Sequence, residues 1–427
     1  MSVSPFASMW SDLAPIGRDG GTGGYRRYAW TREDAVLREW FVAEASARGL
    51  DVVEDRVGNQ YAWWGDVDAH VAATGRGGVV TGSHLDSVPD GGAFDGPLGV
   101  VSGFAAVDAL RAKGVTPARP LAVANFVDEE GARFGVACAG SRVLTGAMTP
   151  ERALALTDTD GVSMGEALHA TGRDPQAYGP DEEALRRIGA FVELHVEQGQ
   201  AMGALDRLAR LRLDPVSVGT DAWGGAVAVG TSIHPHGRWR IDLPGMANHA
   251  GTTALVDRSD AMLLAAEVTL AVRAAAERHG CVGTVGRVEV TPNGINAIPS
   301  HVRLWLDARG ADTSAVRATV AEVSARVAEL GGQVAEQSWT DDTPFTADLT
   351  SRVHAAVRGE QDAPLLSTGA GHDAGVLATA GIPSAMLFVR NPTGVSHSPA
   401  EFAEEDDCRM GIEALAVVLE DLVTEGS

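Results

Sequence analysis

The chain has 427 residues, 45% of them hydrophobic, and a formal net charge of −23. That length exceeds one ordinary core and predicts two domains. The acidic balance argues against nucleic acid or an anionic membrane as partner. No run approaches the roughly 18 apolar residues of a membrane span, and the first twenty residues lack a basic start followed by an apolar stretch. Cys138, Cys281 and Cys408 are far apart and form no C-x-x-C motif. Neither a thiolate zinc site nor a disulfide framework is expected, and a reducing cytoplasm is the simplest home.

Residues 31–49, TREDAVLREWFVAEASARG, predict an amphipathic helix. Thr31 and Asp34 make a start like a capping box, and Gly49 is a good stop. Short strands follow at 51–53 and 60–64, around a turn at Gly58-Asn59. GVVTGSHLDSV predicts a buried strand running into a loop, and GPLGVVSGFAAVDALRAKG a helix whose first turn lies beside Asp95. PLAVANFVDEEG and AFVELHVEQG are buried strands of the same style. Strands alternating with helices argue for an α/β sheet.

The texture changes between about 222 and 340. Strands at 225–231 and 237–243 precede a helix at 256–279. Strands at 284–291 and 301–308, a helix at 313–330 and a strand at 333–339 follow. That order predicts a small split βαβ sandwich inserted in the larger domain. Residues 1–221 and 341–427 then form a discontinuous catalytic domain, with a helix near 351–358, the GAGHDAGVLATAG turn and helix, the strand SAMLFVR and a final helix at 405–424. Residues 203–217, with several Arg between Leu, read as a surface helix or hinge at the domain junction. A basic recognition patch is the alternative.

Five scattered residues read as one metal cage: His84, Asp95, Glu130, His195 and His397. Each lies at or near the end of a strand-like run, where an α/β protein presents its chemistry. Singly they say little. Asp95-Gly96 is more often a turn, and His195 in VELHVEQG is more often a satisfied structural histidine. Together, three His, an Asp and a Glu are a donor set for two divalent ions sharing one carboxylate. Glu129 remains as a spare acid. Two adjacent acids at a buried strand end would repel, unless an ion holds one and the other serves as a base. Asp86 is placed to steady the His84 ring. Donors of nitrogen and oxygen without thiolate suit Zn²⁺, Mn²⁺, Co²⁺ or Ni²⁺.

The motifs GSHLDSVPDGGAFDGPLGV, DEEGARFG, ELHVEQG, MANHAGTT, GINAIPS, DAR, GAGHDA and SHSPAEF resemble those of the dinuclear-metal amidases related to aminoacylases and aminopeptidases. The subgroup is that of N-carbamoyl-L-amino acid hydrolases, allantoate amidohydrolases and β-ureidopropionases. The resemblance runs from about residue 10 to the C-terminus. It implies a catalytic domain with a mixed, mostly parallel sheet flanked by helices, plus an inserted α+β, ferredoxin-like lid and dimerisation domain. One ion would be held by His84, Asp95 and His195, and the other by Asp95, Glu130 and His397, with Asp95 bridging. Glu129 would be the general base and then the proton shuttle. His195, where many peptidases of the wider clan use a carboxylate, favours the carbamoyl-hydrolase subgroup.

The resemblance also implies substrate contacts. His249 in GMANHAGTT would hold the oxyanion on domain closure, from its own or a partner subunit, or else is a turn histidine. Asn296 and Arg309 would form a polar clamp, with Arg309 forking onto the substrate carboxylate. The plainer reading pairs Arg309 with Asp307 or Asp312. Gln198 would contact the ureido group, and Gly371 and His372 would line the pocket. A homodimer through the inserted domain is implied. Two departures from the family pattern stand out. The stretch 204–229 is longer than expected, and WRIDLPGMANHAG places a Pro at a strand end. The expected activity is cleavage of a ureido C–N bond in a small anionic carboxylate, with allantoate favoured over N-carbamoyl-L-amino acids. A dipeptidase or aminoacylase of the same clan and an inactive metal-binding scaffold are the rivals.

Overall fold

Four strands at the centre of the larger sheet run parallel in the computed structural model, which describes residues 5–202, 225–358 and 363–424. They are Leu121–Phe126, Gly78–His84, Ile188–Val196 and Ser384–Val389, side by side in that order. Three are buried at every position and Ile188–Val196 at all but one. Such continuous apolar runs suit strands covered on both faces. The helix Pro97–Ala112 buries most of its residues and joins the final helix Glu405–Thr424 in one core, with Phe41, Val101, Phe104, Leu194, Leu415 and Leu419 among its members.

Strands of both senses flank those four. Asp51–Glu54 and Gln60–Trp64 extend one side antiparallel, and Val227–Ile233 adds antiparallel to Ser384–Val389 on the other. The sheet is therefore mixed, as the sequence suggested. Val227–Ile233 corrects the expected strand pair. Its apolar residues Val227, Ala228 and Val229 belong to the large sheet rather than to the insert.

The helix Arg32–Ala47 starts at Thr31, whose side chain accepts the Asp34 N–H. The returning bond from Asp34 goes to the Trp30 N–H at 3.0 Å, one residue earlier than in a true capping box.

The chain divides into two compact units: Met1–Thr231, Pro344–Leu366 and Gly371–Ser427 in the first, and Ser232–Thr343 with Ser367–Ala370 in the second. The second unit holds a four-stranded antiparallel sheet in the order Gln333–Thr340, His236–Pro244, His301–Arg309, Val282–Thr291. The helices Ala261–His279 and Thr313–Glu329 connect it in a βαββαβ, ferredoxin-like chain order. Strict alternation along His236–Pro244 and His301–Arg309 turns Trp239, Ile241, Leu304 and Leu306 toward those helices. Pro244, the departure noted in the sequence, is the last residue of its strand. The stretch 203–217 and most of the longer segment 204–229 lie outside the described residues.

Candidate metal centre

All four parallel strands end at one edge of the sheet, and the loops leaving those ends carry the candidate side chains. His84 is the last residue of its strand, and His195 the last but one. Glu129 and Glu130 follow Leu121–Phe126, and His397 follows Ser384–Val389. Asp95 precedes the helix Pro97–Ala112, whose N-cap Gly96 has φ 85°. A Cβ on Gly96 would lie 2.4 Å from His84 Cε1. Only glycine both takes that backbone conformation and leaves the imidazole its place.

Two donor triads share Asp95. His84, Asp95 and His195 form one, Asp95, Glu130 and His397 the other, and within each triad the ligand atoms lie within 4.8 Å of one another. Asp95 Oδ1 is 3.2 Å from His195 Nε2 and 3.8 Å from His84 Nε2. Asp95 Oδ2 is 3.4 Å from His397 Nε2, which is 3.6 Å from Glu130 Oε2. A tetrahedral ion with donor bonds of about 2.0–2.2 Å spaces its donors about 3.3–3.6 Å apart. The observed separations fit that demand.

The ring nitrogens fit it too. His195 Nδ1 is 2.8 Å from the Val196 carbonyl, and His84 Nδ1 is 3.1 Å from that of Asp86. Each carbonyl takes a proton on Nδ1, which leaves Nε2 as a lone pair. Among the described residues both Nε2 atoms and Glu130 Oε1 are buried without a hydrogen-bond partner. Buried polar atoms rarely go unpaired, and a cation supplies what these three lack.

Electrostatics agree. Asp86, Asp95, Glu129, Glu193 and Asp373 are all buried around the histidines. Burial pushes the Glu129 carboxyl up to about 7, with His84 opposing and Asp86, Glu193 and Asp95 adding to the rise. Burial, then Asp95 and Glu129, raises Glu130 well above its ordinary value. Burial disfavours charge on His84, but Glu129, Asp86 and Glu130 outweigh it and raise that ring's pKa. Asp95 is held low against burial by His195, His84 and His397. A pocket with this surplus of acid calls for positive charge.

Glu129 stands beside the first triad, with Oε2 3.6 Å from His84 Nε2. The buried Cys138 thiol donates to its Oε1 at 3.2 Å. Gln198 Nε2 donates to Asp95 Oδ2 at 2.9 Å, close to His397. His372 is buried, its ring centroid 4.5 Å from that of His195, and Gly371 precedes it. Glu193, His195 and His372 make a third close triad. Glu193, however, already accepts from Ser83 Oγ at 2.7 Å and from the Ala374 N–H at 3.1 Å, so it backs the cage from behind.

Sequence reasoning missed Glu193, Cys138, Ser396 and Glu401. Ser396 and Glu401 were in view within SHSPAEF, and Glu193 shares a strand face with His195 two residues on. Nothing in the sequence singles out Cys138.

Three other candidates belong to the second unit. His249 is exposed, and its Nδ1 accepts the Gly251 N–H at 3.0 Å. The neutral ring therefore carries its proton on Nε2. Asn296 is exposed, and its carbonyl accepts the Ala250 N–H at 2.9 Å. Arg309 forks onto Asp307 at 2.6 and 2.8 Å and donates to the Gly369 carbonyl at 2.8 Å. The plainer of its two sequence readings is the arrangement present here.

The profile of peptidase family M20/M25/M40 matches residues 80–421. The chain belongs to this family. It is 33% identical over 421 residues to an N-carbamoyl-L-amino acid amidohydrolase of Geobacillus stearothermophilus, covering 95% of this chain and 96% of that one. It is 28% identical to the allantoate amidohydrolase of Escherichia coli K12, covering 95% of each. A crystal structure of an amidase of the hydantoinase/carbamoylase family from Burkholderia vietnamiensis superposes with a TM-score of 0.83 at 28% identity over the whole of both chains. The protein is a metal-binding hydrolase acting on carbon–nitrogen bonds. Among the described residues, no helix is long and apolar enough to cross a membrane.

Proposed function

We propose that the protein hydrolyses the carbamoyl C–N bond of a small ureido carboxylate, releasing the amine and a carbamate that decays to CO₂ and ammonia. The observation that carries this is the pair of donor triads sharing Asp95, with the carboxyl of Glu129 beside them and outside both. A binding protein has no need of that extra acid.

His84, Asp95 and His195 would hold one divalent ion, and Asp95, Glu130 and His397 a second. When bound, such ions polarise a carbonyl and acidify water. Glu129 takes the proton of the attacking water and returns it to the leaving nitrogen. Its carboxyl, buried beside the first triad and outside both, is placed for both halves of that shuttle. His249 offers an Nε2–H donor to the oxyanion. Arg309 takes the substrate carboxylate, and Gln198 and Asn296 its polar groups, with Gly371 and His372 lining the pocket.

Allantoate is the first substrate to test, because the sequence around the motifs offers few apolar side chains for a hydrophobic pocket. N-carbamoyl-L-amino acids are the second reading, favoured by the higher identity to the Geobacillus relative, 33% against 28%. A homodimer through the second unit is part of the proposal. Its edge strand Val282–Thr291 and the exposed Leu255, Val256, Leu263 and Leu270 support that. Cys138, Cys281 and Cys408 are all free, which suits a cytoplasmic home.

The test is product release after chelation and restoration with Mn²⁺ or Zn²⁺, read as ammonia from the ureido substrates and as free amino acid from the peptide and acyl substrates. Allantoate and N-carbamoyl-L-amino acids are compared with a dipeptide and an N-acetyl amino acid. Turnover of the last two alone would refute the ureido assignment.

A further inference from the structure

Glu401 reaches the cage without belonging to it. Its Oε1 accepts the backbone N–H groups of Phe94 and Asp95, both at 2.9 Å. Its Oε2 accepts the Ser396 hydroxyl at 3.0 Å, and that hydroxyl lies 3.3 Å from Asp95 Oδ2. The carboxyl is buried, 5% exposed. One side chain thus joins the loop that carries Asp95 to the loop that carries His397, across some three hundred residues of chain.

The neighbouring backbone is shaped around it. Gly92 has no left-handed φ, so its conformation admits any residue. A Cβ there would nevertheless lie 2.3 Å from Glu401 Oε1 and 2.5 Å from Glu401 Cβ. The second of those atoms cannot swing aside as a side-chain tip can. Glycine at 92 is explained by the space Glu401 occupies. The Phe94 and Asp95 N–H groups lie just ahead of a helix whose N-cap glycine provides no side-chain acceptor. Glu401 is the acceptor they have.

We infer that Glu401 is a positioning residue for the second cation: it fixes the Asp95 carboxylate relative to His397 so that Asp95 Oδ2, His397 Nε2 and Glu130 converge. The inference rests on the metal reading above. A bridging carboxylate must aim its two oxygens at two centres at once. Asp95 Oδ1 faces His84 and His195 on a rigid strand edge, whereas Oδ2 faces a loop. Freedom in that loop falls on the Oδ2 side. Groups that orient ligands in this way are typically worth about 10–100-fold in metal affinity.

The experiment is competition between chelator and full-length protein for Zn²⁺ or Mn²⁺, resolving two binding events, with metal-free melting recorded in parallel. Glu401→Ala is expected to weaken the second cation about 10–100-fold and the first by less than about threefold. Glu401→Gln keeps an oxygen for the two N–H groups, and the Ser396 hydroxyl can accept from its amide. It should stay within a few-fold of wild type. Gly92→Ala, which displaces Glu401 without removing it, should reproduce the alanine defect. Equal second-cation affinity in wild type and Glu401→Ala would overturn the inference and leave the metal reading intact. A defect in Gln as large as in Ala would also overturn it, as would a fall in both cations tracking a fall in metal-free melting. A wild-type protein that takes up only one cation, or none, would overturn the two-metal reading and this inference together.

Discussion

The Asp86 carboxylate accepts the backbone N–H of Glu130 at 3.0 Å. Its other oxygen accepts the Glu129 N–H at 3.2 Å and lies 3.4 Å from His84 Nδ1. The sequence placed Asp86 behind His84 alone. Its larger task is to clamp two neighbouring parallel strand ends, one bearing His84 and the other leading to Glu129 and Glu130. His84 and Phe126 are register partners, so the two chains leave the sheet side by side.

Asp86→Ala removes the acceptor of both N–H groups. Each buried donor left unpaired costs about 1–3 kcal/mol, so the melting temperature should fall. Cation affinity should fall about 10–100-fold. Calorimetric cation titration checks this, and an affinity equal to wild type would show that the clamp does not matter to the cage.

Glu129→Gln preserves shape but cannot accept a proton. The variant should bind cations at wild-type stoichiometry while kcat drops by about 10²–10⁴-fold, the usual worth of a general acid–base group. Elemental analysis and ammonia release measure the two quantities. A kcat near wild type would remove Glu129 from the role of base.

Chelation should abolish turnover and lower thermal stability together. Cations present at 100 times their dissociation constant stabilise the native state by about 2.7 kcal/mol. Mn²⁺ or Zn²⁺ should restore both properties and Mg²⁺ should restore little, because imidazole nitrogens dominate the first triad. Scanning calorimetry with and without chelator is the check, and full recovery with Mg²⁺ alone would contradict the assigned donors.

Arg309 is held by Asp307, and it carries two predictions, one from its proposed substrate contact and one from this pairing. Arg309→Lys loses the fork and should raise KM about tenfold or more, with a smaller change in kcat. Burial alone would raise the Asp307 pKa, but the hydrogen bond and charge of Arg309, with Arg238 adding to them, bring it below its ordinary value. A carboxyl with a lowered pKa in the folded state stabilises above its unfolded pKa, about 3.9, and loses that contribution as pH falls through its folded value. Asp307→Asn should therefore reduce stability at neutral pH and converge with wild type in strong acid. Parallel melting curves at every pH would contradict the pairing.

The sequence by itself determined most of the sheet strands, the main helices and the candidate donors, because those signals are local. Apolar runs such as LAVANF and GVVTGSH mark strands wherever they lie, and acids or histidines at their ends mark chemistry. The second unit was legible for the same reason, since alternation along HGRWRIDLP and HVRLWLDAR fixes which face is buried. Only the tertiary structure decided which sheet claims Val227–Ile233, because its apolar residues suit either one. It also decided the supporting layer. Glu401 and Glu193 lie within or beside visible motifs, but their partners lie 307 and 110 residues away in the chain, and Cys138 carries no local pattern of its own. Periodicity reports which way a side chain faces. What it meets there depends on the loops that folding brings to the same edge of the sheet.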